Sequence, residues 1–245
     1  MDSGYYAAMT GLVARTQALD IAATNLANAQ TPGYRAEQEY FRSVLMGPDA
    51  QDSQLGRTVN NFGLLGGDRL NLAQGALQQT GNPLDLAIEG EGFFQVQTPN
   101  GPRYTRDGGF HRTPQGQLVT EAGDPVLSSA GKPIPIPPGQ VSVGVDGSLS
   151  VAGGVVATVG VFTFPQGTQL APEGVNHYLA PAGVAPVLSK NAAIHQGTIE
   201  NANQGVIPGT LNLLLIQREA EMMQKALTVF HTEFNKIATE DIPRV

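Results

Sequence analysis

Four histidines, His111, His177, His195 and His231, are the first side chains in this sequence that could carry acid–base or nucleophilic chemistry. They are scattered, with no Gly-x-Ser-x-Gly elbow and no local serine or aspartate frame around any of them, so nucleophilic hydrolysis has no scaffold here. No His-x-x-x-His or His-x-x-Glu-His pair exists, and with zero Cys there are no thiolate ligands, so no metal site is expected. Asp85, Glu89 and Glu91 could supply the two carboxylates of a glycosidase, but strands place acids on their wet face for ordinary reasons and nothing sets these opposite one another. Gly90-Glu-Gly-Phe-Phe-Gln95 has two glycines of a phosphate loop but lacks the third and lies in a β pattern, so a turn or bulge is expected instead of a cofactor cradle. Arg103, Arg106 and Arg112 stand among Tyr104, Phe110 and His111, as in a polysaccharide or nucleic-acid groove. Asp107 interrupts them and no wider basic field surrounds them, which favours a solvated hairpin or a protein-contact patch. No catalytic residue, cofactor or metal is therefore expected, and the chain reads as a non-enzyme.

Composition agrees. The 245 residues hold 14 Lys+Arg against 21 Asp+Glu, a net charge of −7, and a nucleic-acid partner would need clustered cations to displace phosphate counterions. Charged residues are only 14%, against roughly 25% in ordinary soluble domains. No run approaches the ~18 apolar residues of a membrane span, so no membrane insertion is expected. The start, Met1-Asp2-Ser3, has no basic segment, and Arg15 and Asp20 interrupt the apolar residues after it, so a cleaved secretory signal is not expected. On signals alone the chain would stay in the cytoplasm.

The elements fall into three zones. Tyr5, Met9, Leu12, Thr16, Leu19, Ala23 and Leu26 step four and three, a seam of 3.5-residue period that predicts a helix from about residue 3 to 29. Thr31-Pro32-Gly33 ends it, proline breaking the ladder and Gly33 permitting a left-handed turn. Ala36–Leu45 resumes as a short helix in this reading. At the other end, Leu213, Ile216, Ala220, Met223, Leu227, Phe230, Phe234 and Ile237 step three and four without a miss, with Thr210 as N-cap after Pro208-Gly209. Between about 80 and 198 the period becomes two, and Asn100-Gly101, Asp107-Gly108 and Asp146-Gly147 are hairpin signals. Pro133-Ile-Pro-Ile-Pro-Pro138 can be neither helix nor central strand.

The expected fold is α+β: long, paired, coiled-coil-like terminal helices and a central all-β domain of short antiparallel strands. Residues 1–45 and 200–245 form a terminal helical assembly domain, 46–79 an extended connector and 80–199 the β domain. The two seams exceed what a lone helix pair covers, since each large apolar side chain gains roughly 1.5–3 kcal/mol on burial. The expected assembly interface is Tyr5, Met9, Leu12, Leu19, Leu26, Asn25, Asn28, Leu213, Ile216, Met223, Leu227, Phe230, Phe234 and Ile237. Asn25 and Asn28 either fix register beside the seam or serve as helix surface and C-terminal cap, and Ala22, Ala23, Ala27 and Ala29 allow close helix approach.

Ala23-Thr-Asn-Leu-Ala-Asn-Ala-Gln-Thr-Pro-Gly-Tyr-Arg35 resembles the N-terminal signature of flagellar basal-body rod and hook proteins. Gly75-Ala-Leu-Gln-Gln-Thr-Gly-Asn-Pro-Leu-Asp-Leu-Ala-Ile-Glu-Gly-Glu-Gly-Phe-Phe-Gln-Val96, Tyr104-Thr-Arg-Asp-Gly-Gly-Phe110, Gly116-Gln-Leu-Val-Thr120 and Gln217-Arg218 continue the likeness along the chain. The resemblance implies a structural, self-assembling subunit of the bacterial flagellum's axial structure, with helices in an inner coiled-coil tube that transmits torque and the β domain outside. Its implied partners are copies of itself, other rod subunits and the flagellar type III export apparatus. That route corrects the compartment to the periplasm-spanning rod, reached without a cleaved signal. Length, the Met-Asp start and Tyr34-Arg-Ala-Glu are more similar to the proximal rod member than to the distal rod or hook. The competing readings are those distal or hook-type subunits, a secreted cell-wall-active enzyme, and an adhesin-like β module. Gly205-Val-Ile-Pro-Gly209 departs from the acidic approach to the last helix usual in the family, which leaves that helix's start open.

Overall fold

The computed structural model describes residues 2–42 and 64–240, which divide into two units. The first holds the terminal helices, α1 (Asp2–Ala27) and α2 (Val206–Glu240), with the paired strands Glu37–Arg42 and Leu64–Leu70. The second, residues 28–36 and 70–205, is the β unit.

In the first unit α1 and α2 run antiparallel: Arg15 Nε meets Glu219 Oε2 at 3.0 Å, while Ala18 and Ala22 pack on Ile216 beside Leu19 and Leu213. The face that α1 buries is made of small residues, Gly11, Ala14, Ala18 and Ala22, and this lets the backbones approach closely. The larger seam residues lie beside it or outside it, with Leu12, Leu19 and Leu26 half-buried and Met9 exposed.

Two local expectations are corrected. Ala36–Leu45 is no helix in its described part: Glu37–Arg42 is a strand, paired with Leu64–Leu70 inside the expected connector. The amide of Asn25 sets that strand's start, its Nδ2 donating to the Glu37 carbonyl at 2.8 Å and its Oδ1 accepting the Glu37 N–H at 2.9 Å. Thr210 is no cap either. α2 begins at Val206, with Pro208 in its first turn, where a missing N–H costs nothing, and the Thr210 hydroxyl donates back to the Val206 carbonyl at 2.8 Å.

The β unit is built on a six-stranded antiparallel sheet in the order Ala171–Glu173, His177–Leu179, Gly101–Thr105, Phe93–Thr98, Val161–Thr163, Val187–Leu188. Its central hairpin turns at Pro99-Asn100, Thr98 opposite Gly101, which sits at φ +104°. Successive residues face opposite sides: Phe94 joins Leu86, Ile88, Phe110, Leu118, Ile134 and Leu149 in the larger core, and Phe93 joins Tyr104, Phe162, Leu170 and Tyr178 in the smaller. Asp146-Gly147 closes a hairpin between Val141–Val143 and Ser148–Val151. Asp107-Gly108 does not; Asp107 Oδ1 instead accepts the Gly109 N–H at 3.0 Å. The proline run is used by halves. Ile134 and Ile136 are buried and donate to the Val126 and Gly116 carbonyls, which the intervening prolines could not do.

Gly33 lies at φ +69°, as the Pro-Gly break predicts, and a Cβ built on it would stand 2.1 Å from the Asp107 backbone nitrogen. The left-handed conformation costs a side chain roughly 1–2 kcal/mol and the overlap a further 1–3, so Gly33→Ala should lower unfolding stability by about 3 kcal/mol. Denaturant melts of the two chains measure this, and equal midpoints would refute the close approach.

Candidate functional site: a helix pair and a buried arginine clasp

The expected interface residues divide by position. Ile216 and Leu227 are buried on the inner face of α2, and Leu213 and Met223 are half-buried beside them. Asn28, half-buried, turns the chain after α1, its carbonyl accepting the Thr31 N–H at 3.0 Å. Asn25 is spent on Glu37 within the chain. The side chains of Tyr5, Phe230, Phe234 and Ile237 lie outside the described ones.

The residues weighed for catalysis are not gathered. Asp85 accepts hydrogen bonds from Thr80 at 2.6 Å and Asn82 at 2.7 Å, Glu89 pairs with His195 at 2.5 Å, and His177 lies 3.9 Å from Asp124. Among the described residues no three of His, Asp and Glu converge. Glu91 borders a cleft of about 390 Å³ with Phe93, Arg106, Phe164 and Leu170.

The arginines are corrected most. Arg103 and Arg106 are buried, not on a contact patch, and only Arg112 is exposed. Arg103 Nε donates to Glu173 at 2.8 Å, across the sheet. Arg106 enters a charge cluster that sequence reasoning missed. Its Nη1 donates to Glu200 Oε2 at 3.0 Å, its Nη2 to the Gly90 carbonyl at 2.5 Å, and its Nε to the Gly92 carbonyl, while Cζ lies 5.5 Å from the Phe93 ring centre. The second arginine is Arg35, Nη1 at 2.8 Å from Glu200 Oε1 and 2.6 Å from the Ala73 carbonyl. Side-chain exposure is 1% for Arg35, 3% for Arg106 and 0% for Glu200, so one carboxylate is shared by two guanidinium groups out of water. Burial pulls the Arg106 guanidinium below its usual range, and the Glu200 charge pulls it back.

Backbone bonds extend the cluster into a clasp. Gly33 N–H donates to the Glu200 carbonyl at 2.7 Å, Arg35 N–H to the Tyr178 hydroxyl at 2.9 Å and Gly75 N–H to Glu200 Oε1 at 2.7 Å. Asn203 joins the three passages of chain at the border of the β unit. Its Oδ1 accepts the Ala36 N–H at 2.8 Å and its Nδ2 donates to the Asn71 carbonyl at 2.6 Å, while Asn71 N–H donates to Ala36 O at 2.8 Å. The segment leaving α1 and the segment leading to α2 are thus fastened to each other and to the sheet. Local sequence carries no signal for the clasp: Arg106 adjoins Asp107 and Arg35 lies two residues from Glu37, yet both reach the distant Glu200 instead.

Beside the clasp, burial pushes the Asp107 carboxyl above its ordinary range, against the pull of the Gly109 N–H. A carboxyl whose folded pKa is raised destabilises the fold as pH rises: the penalty is absent below the ordinary carboxylate pKa of about 4, grows from there and levels off above the raised value. Asp107→Asn removes it, and the Asn176 amide, now at 2.8 Å from Oδ2, can flip to keep its bond. The variant's melting temperature relative to the parent chain should rise between pH 4 and pH 7; a difference independent of pH would count against the buried charge.

Residues 6–35 match the flagella basal body rod protein family, and residues 87–151 match the D1 domain of flagellar hook proteins FlgE/F/G. The chain is 37% identical to the flagellar basal-body rod protein FlgF of Caulobacter vibrioides over 229 residues, 93% of each chain. The chain belongs to the flagellar basal-body rod proteins. It is also similar to FlgF of Escherichia coli, 30% identical over 93% of this chain and 94% of that one, and to the rod protein FlgG of Bacillus subtilis, 29% identical over 91% and 93%. The matched segment 6–35 ends on Arg35, in the clasp.

Proposed function

We propose that this rod subunit self-assembles through its terminal helices, residues 1–45 and 200–245, paired as in a coiled coil, into a helical tube that transmits torque. The observation that carries the reading is the outer side of α2, where Ile207 is 76% exposed, Leu211 58%, Leu215 60%, Met222 62% and Val229 60%. An exposed helix face this rich in large apolar side chains marks an interaction surface and gains its stability by being covered. The β unit, residues 80–199 at its centre, is held together at its edge by the clasp. The subunit performs no catalysis. Its partners are copies of itself, neighbouring rod subunits and the flagellar export apparatus that delivers it, and its place is the proximal rod, supported by its Tyr34-Arg-Ala-Glu sequence. No described helix is long and apolar enough to cross a membrane.

Electron microscopy of basal bodies from a strain lacking this chain tests the reading: a rod missing a section, restored by the intact chain, is expected, and complete rods would overturn it.

A further inference from the structure

The exposed faces of the two helices have the same geometry, and this points to what covers them. At 100° per residue, Ile207, Leu211, Leu214, Leu215, Met222 and Val229 fall within one stripe of about 100° on α2, nearly opposite the buried Ile216, Ala220 and Leu227. Arg218 lies in the middle of that stripe, Lys225 lies within it and Glu221 flanks it, accepting a bond from Gln217. On α1 the side opposite the buried alanines carries Met9, Val13, Thr16 and Asp20, and Met9 and Val13 are 40% and 52% exposed. Positions 9, 13, 16 and 20 step four, three, four, and so do 207, 211, 214 and 218.

We infer that the outer face of α1 in one copy docks, parallel and in this register, on the outer face of α2 in a second copy of the chain. Met9 then meets Ile207, Val13 meets Leu211, Thr16 meets Leu214, and the carboxylate of Asp20 meets the guanidinium of Arg218. The antiparallel alternative that keeps the same ion pair sets Val13 against the Lys225 ammonium, which excludes it in favour of the parallel one. α1 and α2 lie side by side within a chain with their inner faces already spent on one another, so each copy offers one donor face and one acceptor face. Such a contact is heterologous and does not close on itself as a two-fold dimer; it propagates. This inference rests on the assembly reading above and adds the partner, the faces and the register.

The chain has no cysteine, so introduced pairs report cleanly. Full-length chain carrying Val13→Cys with Leu211→Cys, oxidised in isolated basal bodies and run under denaturing conditions, should give covalent dimers and longer ladders, while each single variant gives at most adducts below a tenth of that yield. A cross-linked monomer alone, or incorporation without ladders, overturns the register. Should the cysteine pair impair incorporation, charge reversal decides. Asp20→Arg and Arg218→Asp should each cut incorporation severalfold, and the two together should restore most of it; singles without effect, or no rescue, overturn the inference. Leu227→Asp, which breaks the inner face instead, separates the two levels. If it blocks incorporation while the charge variants behave as the parent, the register fails and the assembly reading stands; if all incorporate normally, both fail.

Discussion

Glu200→Ala should cost the β unit about 3–5 kcal/mol, the penalty for leaving buried charge without its counter-ion. The carboxylate holds Arg35 at 2.8 Å and Arg106 at 3.0 Å and accepts the Gly75 N–H at 2.7 Å, all within a cluster closed to water. Removing it leaves two guanidinium groups facing each other in a low dielectric with only carbonyls for company. A guanidinium keeps its charge at ordinary pH, so the cost is not relieved by neutralisation. Denaturant unfolding of the purified full chain measures the loss. A second consequence comes from position: Glu200 also receives the Gly33 N–H on its carbonyl, so amide exchange in residues 33–36 should rise with the variant. An alanine variant as stable as the parent would show that the carbonyls alone satisfy the arginines. Glu200→Gln, which keeps an acceptor for Gly75 but not the charge, should fall between the two.

The second large effect is expected in the other unit. Leu227 is 9% exposed on the inner face of α2, in line with Ile216 and Ala220. An aspartate there loses the leucine's burial and puts a charge against the helix partner, so Leu227→Asp should destabilise the helix pair by about 3–4 kcal/mol. The pair is small, and a change of that size should open it and remove the chain from isolated basal bodies. The β unit has its own core around Phe94, Ile88 and Leu149, so its thermal transition should be retained. Normal incorporation, or loss of both units together, would contradict this division of labour.

Much of the fold is legible in the amino-acid order because it depends on local periodicity. The two terminal helices follow from apolar spacing of three and four, the sheet from spacing of two, and the turn at Gly33 from a Pro-Gly pair that has few other conformations. Local pattern misleads where a distant partner outweighs it. Ala36–Leu45 has a helical pattern of apolar residues, yet Asn25, twelve residues before Glu37, takes the Glu37 backbone from both sides and starts a strand over Glu37–Arg42. Large residues mark the seam on α1 in the sequence, whereas the helix buries its alanines, because close approach to Ile216 favours small side chains over large ones.

The family can be recognised from the sequence, since its motifs are runs of adjacent residues. The absence of a basic field and of thiols also follows from composition alone. The clasp cannot be read this way. Arg35, Arg106 and Glu200 are separated by 71 and 94 positions, and an ion pair has no sequence period. Only the folded sheet, by excluding water from the place where the three meet, turns two ordinary arginines and one glutamate into a single interdependent unit.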